Sequence, residues 1–217
     1  SDYLIKKINI SLEQTFFWVE YKGVSFGEFV LNIPGEFNAL NALASIILGI
    51  EVGLSVGKVK SGIAKFTGCK RRLEYIGKTE NGALIYDDYA HHPTEIKNTL
   101  LSLKKMFPKK KIICIFQSHT FSRTEKLLDQ FSKAFGNCDL LILTKIFASE
   151  REKIPNDQLS KKLYQRALSE HSNTLFLPEF SDVIEYAEQK RYNRENVLIT
   201  VGAGAVYKIG KELIKKK

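Results

Sequence analysis

Residues 85–96 read IYDDYAHHPTEI, and the fold is decided there. The run leaves an apolar, strand-like segment (Ala83 to Tyr86) and ends on a helix start. It carries two acidic residues, an aromatic, two adjacent histidines and a proline. A hydrophobic core has no use for that mixture. Titratable groups gathered where a strand gives way to a helix lie at the carboxyl edge of a sheet, where open α/β folds bind ligands.

Working outward, the chain alternates strand and helix to its end. Strands are expected at Leu73 to Ile76, Ala83 to Tyr86, Ile112 to Phe116, Leu140 to Leu143, Thr174 to Leu177 and Val197 to Thr200. Helices are expected at Thr94 to Met106, Ser122 to Phe135, Asn156 to Glu170, Ser181 to Tyr192 and Ala205 to Ile214. Short apolar runs such as KIICIF, DLLILT and NVLIT suit strands buried on both faces of a parallel sheet. Repeated βα units with right-handed crossovers give an α/β, Rossmann-like domain, mostly parallel and flanked by helices, over residues 70–217.

Upstream, Phe16 to Tyr21 and Val24 to Ile33 are rich in β-branched and aromatic residues and flank Lys22-Gly23, so they read as a hairpin. No opening strand is evident before it, which makes the hairpin look like the tail of something larger. Pro34-Gly35 ends it. Asn38 to Ile50 then places Leu40, Leu43, Ile47 and Ile50 at helical spacing, and Ser55 can cap a second helix running to about Phe66 through Val56, Val59 and Ile63. A boundary is expected near Thr67-Gly68-Cys69-Lys70, giving a first domain over 1–69.

With 217 residues, 44% hydrophobic and 26% charged, the chain has the composition of one large or two small globular domains. Nothing approaches the roughly 18 consecutive apolar residues of a membrane span, and SDYLIKKINI is not a signal peptide, so a cytoplasmic location is expected. Cys69, Cys114 and Cys138 are odd in number and lack CxxC spacing, which argues against a disulfide framework or a zinc ribbon. The net charge of +9 resides partly in the solvated runs Lys109-Lys110-Lys111 and Lys215-Lys216-Lys217. It also suits a phosphate-rich partner, nucleotide or nucleic acid.

Three constellations can carry chemistry. In the first, Asp88 at a strand end can accept both hydroxyls of a ribose; the alternative is that Asp87 or Asp88 caps the following helix, whose free N–H groups face Asp87 to His92, or pairs with an arginine. Adjacent His91 and His92 point in different directions and lack the further ligands a zinc site needs. In the second, FQSHTFSRT (Phe116 to Thr124), His119 and Arg123 stand at another strand end. The Arg123 fork can clamp a carboxylate or phosphate, beside Asp88 if the two strands are neighbours, or it is a solvated surface group. In the third, PGEFNALNALAS, Asn38 and Asn41 lie three apart on one helix face and can read an adenine edge, unless Asn38 is simply the N-cap. Arg71-Arg72 can reach a phosphate, and GAG at Gly202 to Gly204 lacks the third glycine of a dinucleotide fingerprint.

The order PGxxNxxNAxA, RRxE, DDYAHHPTEI, FQxHxxSRT and GAG resembles the Mur ligases of peptidoglycan synthesis over nearly the whole chain. The resemblance implies ATP and Mg2+ as cofactors and UDP-N-acetylmuramate and L-alanine as substrates, with neither nucleic acid nor membrane as partner. The expected reaction phosphorylates the substrate carboxylate and lets the L-alanine amine attack the acyl phosphate. Position by position, the resemblance puts Asn38 and Asn41 at the adenine, Arg72 at the ATP phosphates and Asp88 at the ribose. Tyr89, His91, His119 and Arg123 face the amino acid and the reacting carboxyl group. Arg123 would hold the alanine carboxylate or stabilise developing charge, and a histidine, His91 or His119, would orient or deprotonate the amine.

The family's GxxGKTxT phosphate loop is not among these residues, and the magnesium ligands belong mostly upstream; no metal ligand is assigned here. The chain is therefore expected to be the C-terminal part of a ligase, inactive alone, with residues 1–69 the tail of the central ATP-binding domain. It departs from the family pattern at Phe37, Ser118, Thr120 and Ala205, where histidine, proline, arginine and aspartate are usual. FQxHxxSRT speaks against the sister ligase that recycles murein tripeptide. A non-catalytic nucleotide or nucleic-acid module would place aromatics among lysines on an exposed sheet face, and a metallohydrolase built on Asp87-Asp88 and His91-His92 would bind zinc.

Overall fold

A computed structural model describes residues 2–11, 14–148, 152 and 157–215. The chain divides into two compact units, Ser1–Cys69 and Lys70–Lys217.

The first unit is a three-stranded antiparallel sheet with two helices. Strands β1 (Tyr3–Ile10), β2 (Thr15–Tyr21) and β3 (Val24–Leu31) pair in the order β1-β2-β3. Along β2 the residues Thr15, Phe17 and Val19 turn inward at the two-residue period of a half-buried strand. Lys22 and Gly23 both adopt positive φ, 46° and 82°, which matches the twist of a tight hairpin. The expected hairpin is thus corrected to three strands, with β1 opening the sheet. Its signal is masked by a bulge between Ile5 and Lys7, which shifts the inward set from Tyr3 and Ile5 to Ile8 and breaks strict alternation.

Helix α1 (Glu36–Glu51) buries Ala39, Ala42 and Ile46, whereas Leu40, expected on the inner face, is 57% exposed. Small residues take the tightest contact with the sheet there, so counting large apolar residues misplaced the stripe. Helix α2 (Val56–Lys65) begins as expected at Ser55, whose hydroxyl accepts the Lys58 N–H, and it buries Val59.

The second unit is an α/β domain. Strands β4 (Glu74–Lys78), β5 (Leu84–Asp88), β6 (Lys111–Phe116), β7 (Leu140–Leu143), β8 (Thr174–Phe176) and β9 (Asn196–Val201) form one sheet in the order β4-β5-β9-β6-β7-β8. Only the edge strand β4 is antiparallel to its neighbour. The helices are α3 (Pro93–Met106), α4 (Phe121–Lys126), α5 (Leu128–Ser132), α6 (Asp157–Glu170), α7 (Phe180–Lys190) and α8 (Tyr207–Lys215).

Central strands are buried on both faces. Ile85, Ile113, Ile115 and Leu198 pack with Val183 and Ala187 of α7 and Ile209 and Leu213 of α8. On the other face Phe116 meets the rings of Phe131 and Phe135, and Tyr86 meets Phe107 after α3. The single helix expected over Ser122 to Phe135 is corrected to two: Leu127 leaves the helical region (φ −111°, ψ 19°), and α5 then buries Leu128 and Phe131. The expected helix start at Asn156 and the tail residues Lys216 and Lys217 lie outside the described residues.

Candidate functional site

Two strand ends and the turn between them build the site. At the end of β5, Asp88 is only 3% exposed, and both its carboxylate oxygens accept backbone N–H groups: Oδ2 from Leu73 (2.7 Å) and Oδ1 from Ala90 (2.7 Å). Burial outweighs those donors and the nearby Arg72 and pushes the carboxyl up to about 6. Asp87, also buried, accepts from Thr200 Oγ1 (2.5 Å) and from Arg71 Nε (3.0 Å). Burial raises its pKa too, and those two hydrogen bonds oppose the rise. Of the alternatives raised above, the arginine pair is therefore made by Asp87.

Neither aspartate caps α3. His92 is the N-cap, its Nδ1 accepting from Thr94 N (3.3 Å), while the Glu95 carboxylate accepts from the backbone of His91 (3.0 Å) and His92 (3.2 Å). That is a capping box in which histidine takes the place of serine. His92 is thereby turned to structure, and His91 is directed elsewhere. Its Nδ1 lies 3.1 Å from the Tyr89 carbonyl and its ring meets the Tyr89 ring edge-on at 5.6 Å. Tyr89, 37% exposed, presents its ring face to the guanidinium groups of Arg71 (4.8 Å) and Arg72 (5.8 Å). Arg72 itself is exposed.

At the end of β6 the backbone is strained. Thr120 holds φ at 72° as the N-cap of α4, with its hydroxyl accepting from Arg123 N (3.4 Å). Its amide donates to Phe147 (2.9 Å), Phe147 donates to Ser118 (2.8 Å), and the Ser118 and Thr124 hydroxyls meet at 2.6 Å. The His119 ring stacks on Phe147 with centroids 5.4 Å apart, and its Nδ1 is buried with no hydrogen-bond partner among the described residues. Burial lowers its pKa, helped by repulsion from Arg123 and His91 and opposed by Glu152. Arg123 Nη1 lies 3.5 Å from the His119 carbonyl, and the charge of His91 acts on the same imidazole. Glu152 accepts from the amides of Phe121 (2.9 Å) and Ser122 (3.0 Å) at the head of α4.

Strands β5 and β6 are not neighbours. β9 lies between them, pairing Val201 with Asp88 on one side and with Phe116 on the other, so the condition under which Arg123 would stand beside Asp88 is not met. The GAG turn after β9 is the seam. Gly202 N donates to the Asp88 carbonyl (3.0 Å), and a Cβ on Gly202 would sit 2.4 Å from the Gln117 carbonyl. At Gly204 a Cβ would sit 2.7 Å from Gln117 Oε1. These glycines permit close packing of backbones.

Asn38 and Asn41 belong to the first unit. Asn38 is buried and is not the N-cap, which is Gly35; its Nδ2 donates to the Pro34 carbonyl (2.7 Å). That leaves its Oδ1 as an acceptor, and Asn41, one turn on, is exposed. Among the described residues no group of three His, Cys, Asp or Glu is arranged to hold a metal ion. Gln117 and Glu152 carry no local signal of a role in the sequence, and Arg71 shows there only as half of the pair Arg71-Arg72.

Residues 71–204 match the family model described as Mur ligase, glutamate ligase domain. The chain belongs to the Mur ligase family. Among relatives of this Mur ligase chain, the UDP-N-acetylmuramate–L-alanine ligase of Desulfitobacterium hafniense is 42% identical over 192 residues, 88% of this chain and 42% of that protein. The ligase of the same name from Desulforamulus reducens is 38% identical over 218 residues, 100% of this chain and 46% of that protein. The crystal structure of UDP-N-acetylmuramate–alanine ligase from Thermotoga maritima superposes with a TM-score of 0.81 at 26% identity, covering 98% of this chain and 45% of the other. The Mur ligase chain thus spans less than half the length of the relatives it matches. Among the described residues no helix is long and apolar enough to cross a membrane.

Proposed function

We propose that this chain is the C-terminal part of a cytoplasmic, ATP-dependent ligase that joins L-alanine to UDP-N-acetylmuramate. Its first unit would be the tail of the central ATP-binding domain. The names of its relatives support the substrates, and the family supports ATP and Mg2+. The single observation that carries the reading is His119: an imidazole held flat on Phe147 and biased toward its neutral form by burial and by the charges of Arg123 and His91.

Such a group accepts a proton near neutral pH. Arg123 grips the alanine carboxylate with its planar fork, His119 takes the proton from the attacking amine, and Tyr89 and His91 line the amino-acid side. Asn41 and the remaining acceptor of Asn38 read the adenine, and Arg72 meets the phosphates. Asp88 keeps a second lone pair on each oxygen for the ribose, and its near-complete burial means the ribose must come close to the strand end. ATP supplies the phosphoryl group that activates the carboxylate. The magnesium ligands and the phosphate loop belong to the part of the ligase outside these residues, so the 217-residue chain alone should not turn over.

The test is phosphate release from ATP that depends on both UDP-N-acetylmuramate and L-alanine, measured in the complete ligase. Arg123→Ala should raise KM for L-alanine about tenfold or more, the loss expected of a bidentate clamp, and leave KM for ATP unchanged. No substrate-dependent release in the parent enzyme would refute the assignment.

A further inference from the structure

The Arg71 side chain makes its contacts to the protein itself, across several elements of the site. Its Nε binds Asp87 at 3.0 Å, Nη2 binds the Gly202 carbonyl, and Nη1 lies 3.5 Å from the Ala203 carbonyl. Its guanidinium is closed between two rings, Tyr89 at 4.8 Å and Tyr207 at 4.7 Å. The backbone is as tightly held: Arg71 N donates to Glu74 Oε2 (2.7 Å), and its carbonyl accepts from Tyr89 N (2.7 Å). One residue therefore joins the turn before β4, the end of β5, the turn after β9 and the start of α8.

That turn stores strain. Arg71 and Leu73 both have left-handed φ, 60° and 46°, a conformation that costs any residue but glycine free energy. Between them stands Arg72. A strained backbone persists only where its surroundings over-determine it, and here the restraints are the Arg71 side chain, the bonds of its backbone to Glu74 and Tyr89, and the Asp88 carboxylate on Leu73 N.

We propose that Arg71 is the positioning residue of the site: its guanidinium, locked between Tyr89 and Tyr207 and tied to Asp87 and the Gly202–Ala203 turn, fixes the strained Arg71–Leu73 turn and so aims Arg72 and Tyr89. The inference rests on the reading of Arg72 and Tyr89 as substrate-facing. Lysine at this position keeps the charge but loses the fork and the stacking plane, and so removes the aim without removing the cation.

Two measurements on Arg71→Lys in the complete ligase separate the inference from that reading. The first is amide hydrogen exchange at Leu73 and Tyr89. It should quicken about tenfold or more while β6 and β7 keep their protection; unchanged exchange would overturn the inference. The second is steady-state kinetics. KM for ATP and for L-alanine should each rise about tenfold, with kcat within about threefold, because misplacement rather than lost chemistry is the defect. An equal loss of kcat and melting temperature with both KM values fixed would make Arg71 merely structural. Arg72→Ala and Tyr89→Ala serve as the reference: if these leave both KM values unmoved while exchange still quickens in Arg71→Lys, the substrate-facing reading fails and the positioning of the turn stands.

Discussion

The two strand ends of the second unit are built from similar materials to opposite effect. At the end of β5, Asp87, Asp88, His92 and Glu95 all hold donors supplied by the chain itself. At the end of β6, Gln117 Oε1 and His119 Nδ1 are buried without a partner among the described residues, Thr120 is strained, and the helix that follows is six residues long. Buried polar atoms are nearly always paired, so an unpaired set calls for an explanation. On the proposed reading the first end serves chiefly as an anchor and the second as the receptor for the amino acid.

The sharpest way to break the comparison is to strike the glycine that joins the two ends. Gly202→Ala places a methyl 2.4 Å from the Gln117 carbonyl at a φ of 145°. It should cost about 4 kcal/mol or more, or prevent folding, by the usual penalty of core overlap with backbone strain; denaturant unfolding measures it.

A smaller effect tests whether the anchor is an anchor. Burial pushes the Asp88 carboxyl up to about 6 in the folded chain, above the usual carboxylate value of 3.8. The folded state therefore holds the proton more tightly, and Asp88's contribution to stability is greatest below pH 4 and is lost as pH rises through about 6. The shift corresponds to about 2–3 kcal/mol, with Asp87 acting in the same sense. Asp88→Asn should flatten that slope in melts between pH 4 and pH 7, and a slope equal to the parent's would show that the carboxyl does not sense its burial.

The smallest effect sharpens the receptor. Glu152→Gln removes the negative charge that holds the His119 pKa up against Arg123 and His91. The imidazole should then titrate at a lower pH, read from its ring proton shifts by NMR. Loss of a charged acceptor at the head of α4 should also cost about 1 kcal/mol, typical of a helix cap.

The parallel sheet was legible because strands buried on both faces read as unbroken apolar runs, as KIICIF and NVLIT do. β1 was hidden by its bulge, and the break at Leu127 by a helical period that runs through it. Within the site, the residue types at both strand ends were visible as motifs, but the bonds they make were not. That Asp88 answers to Leu73 and Ala90, and Asp87 to Arg71 and Thr200, depends on strand order, and nothing local says that β9 lies between β5 and β6. Glu152 reaches α4 from 30 residues away in sequence, beyond the range of any spacing rule.

The place of β9 bears on how the molecule is made. The last strand of the sheet in chain order fills the gap between the second and third, β5 and β6, and the bond from Thr200 to Asp87 closes a loop of 113 residues. As the chain leaves the ribosome, β5 and β6 emerge early with no partner between them and wait for the final strand. Pairings of such long range form slowly and leave sheet edges open to other chains. The anchor and the receptor come together only when synthesis of this unit is nearly complete, so a nascent chain lacking β9 should lean on chaperones and have no site to offer.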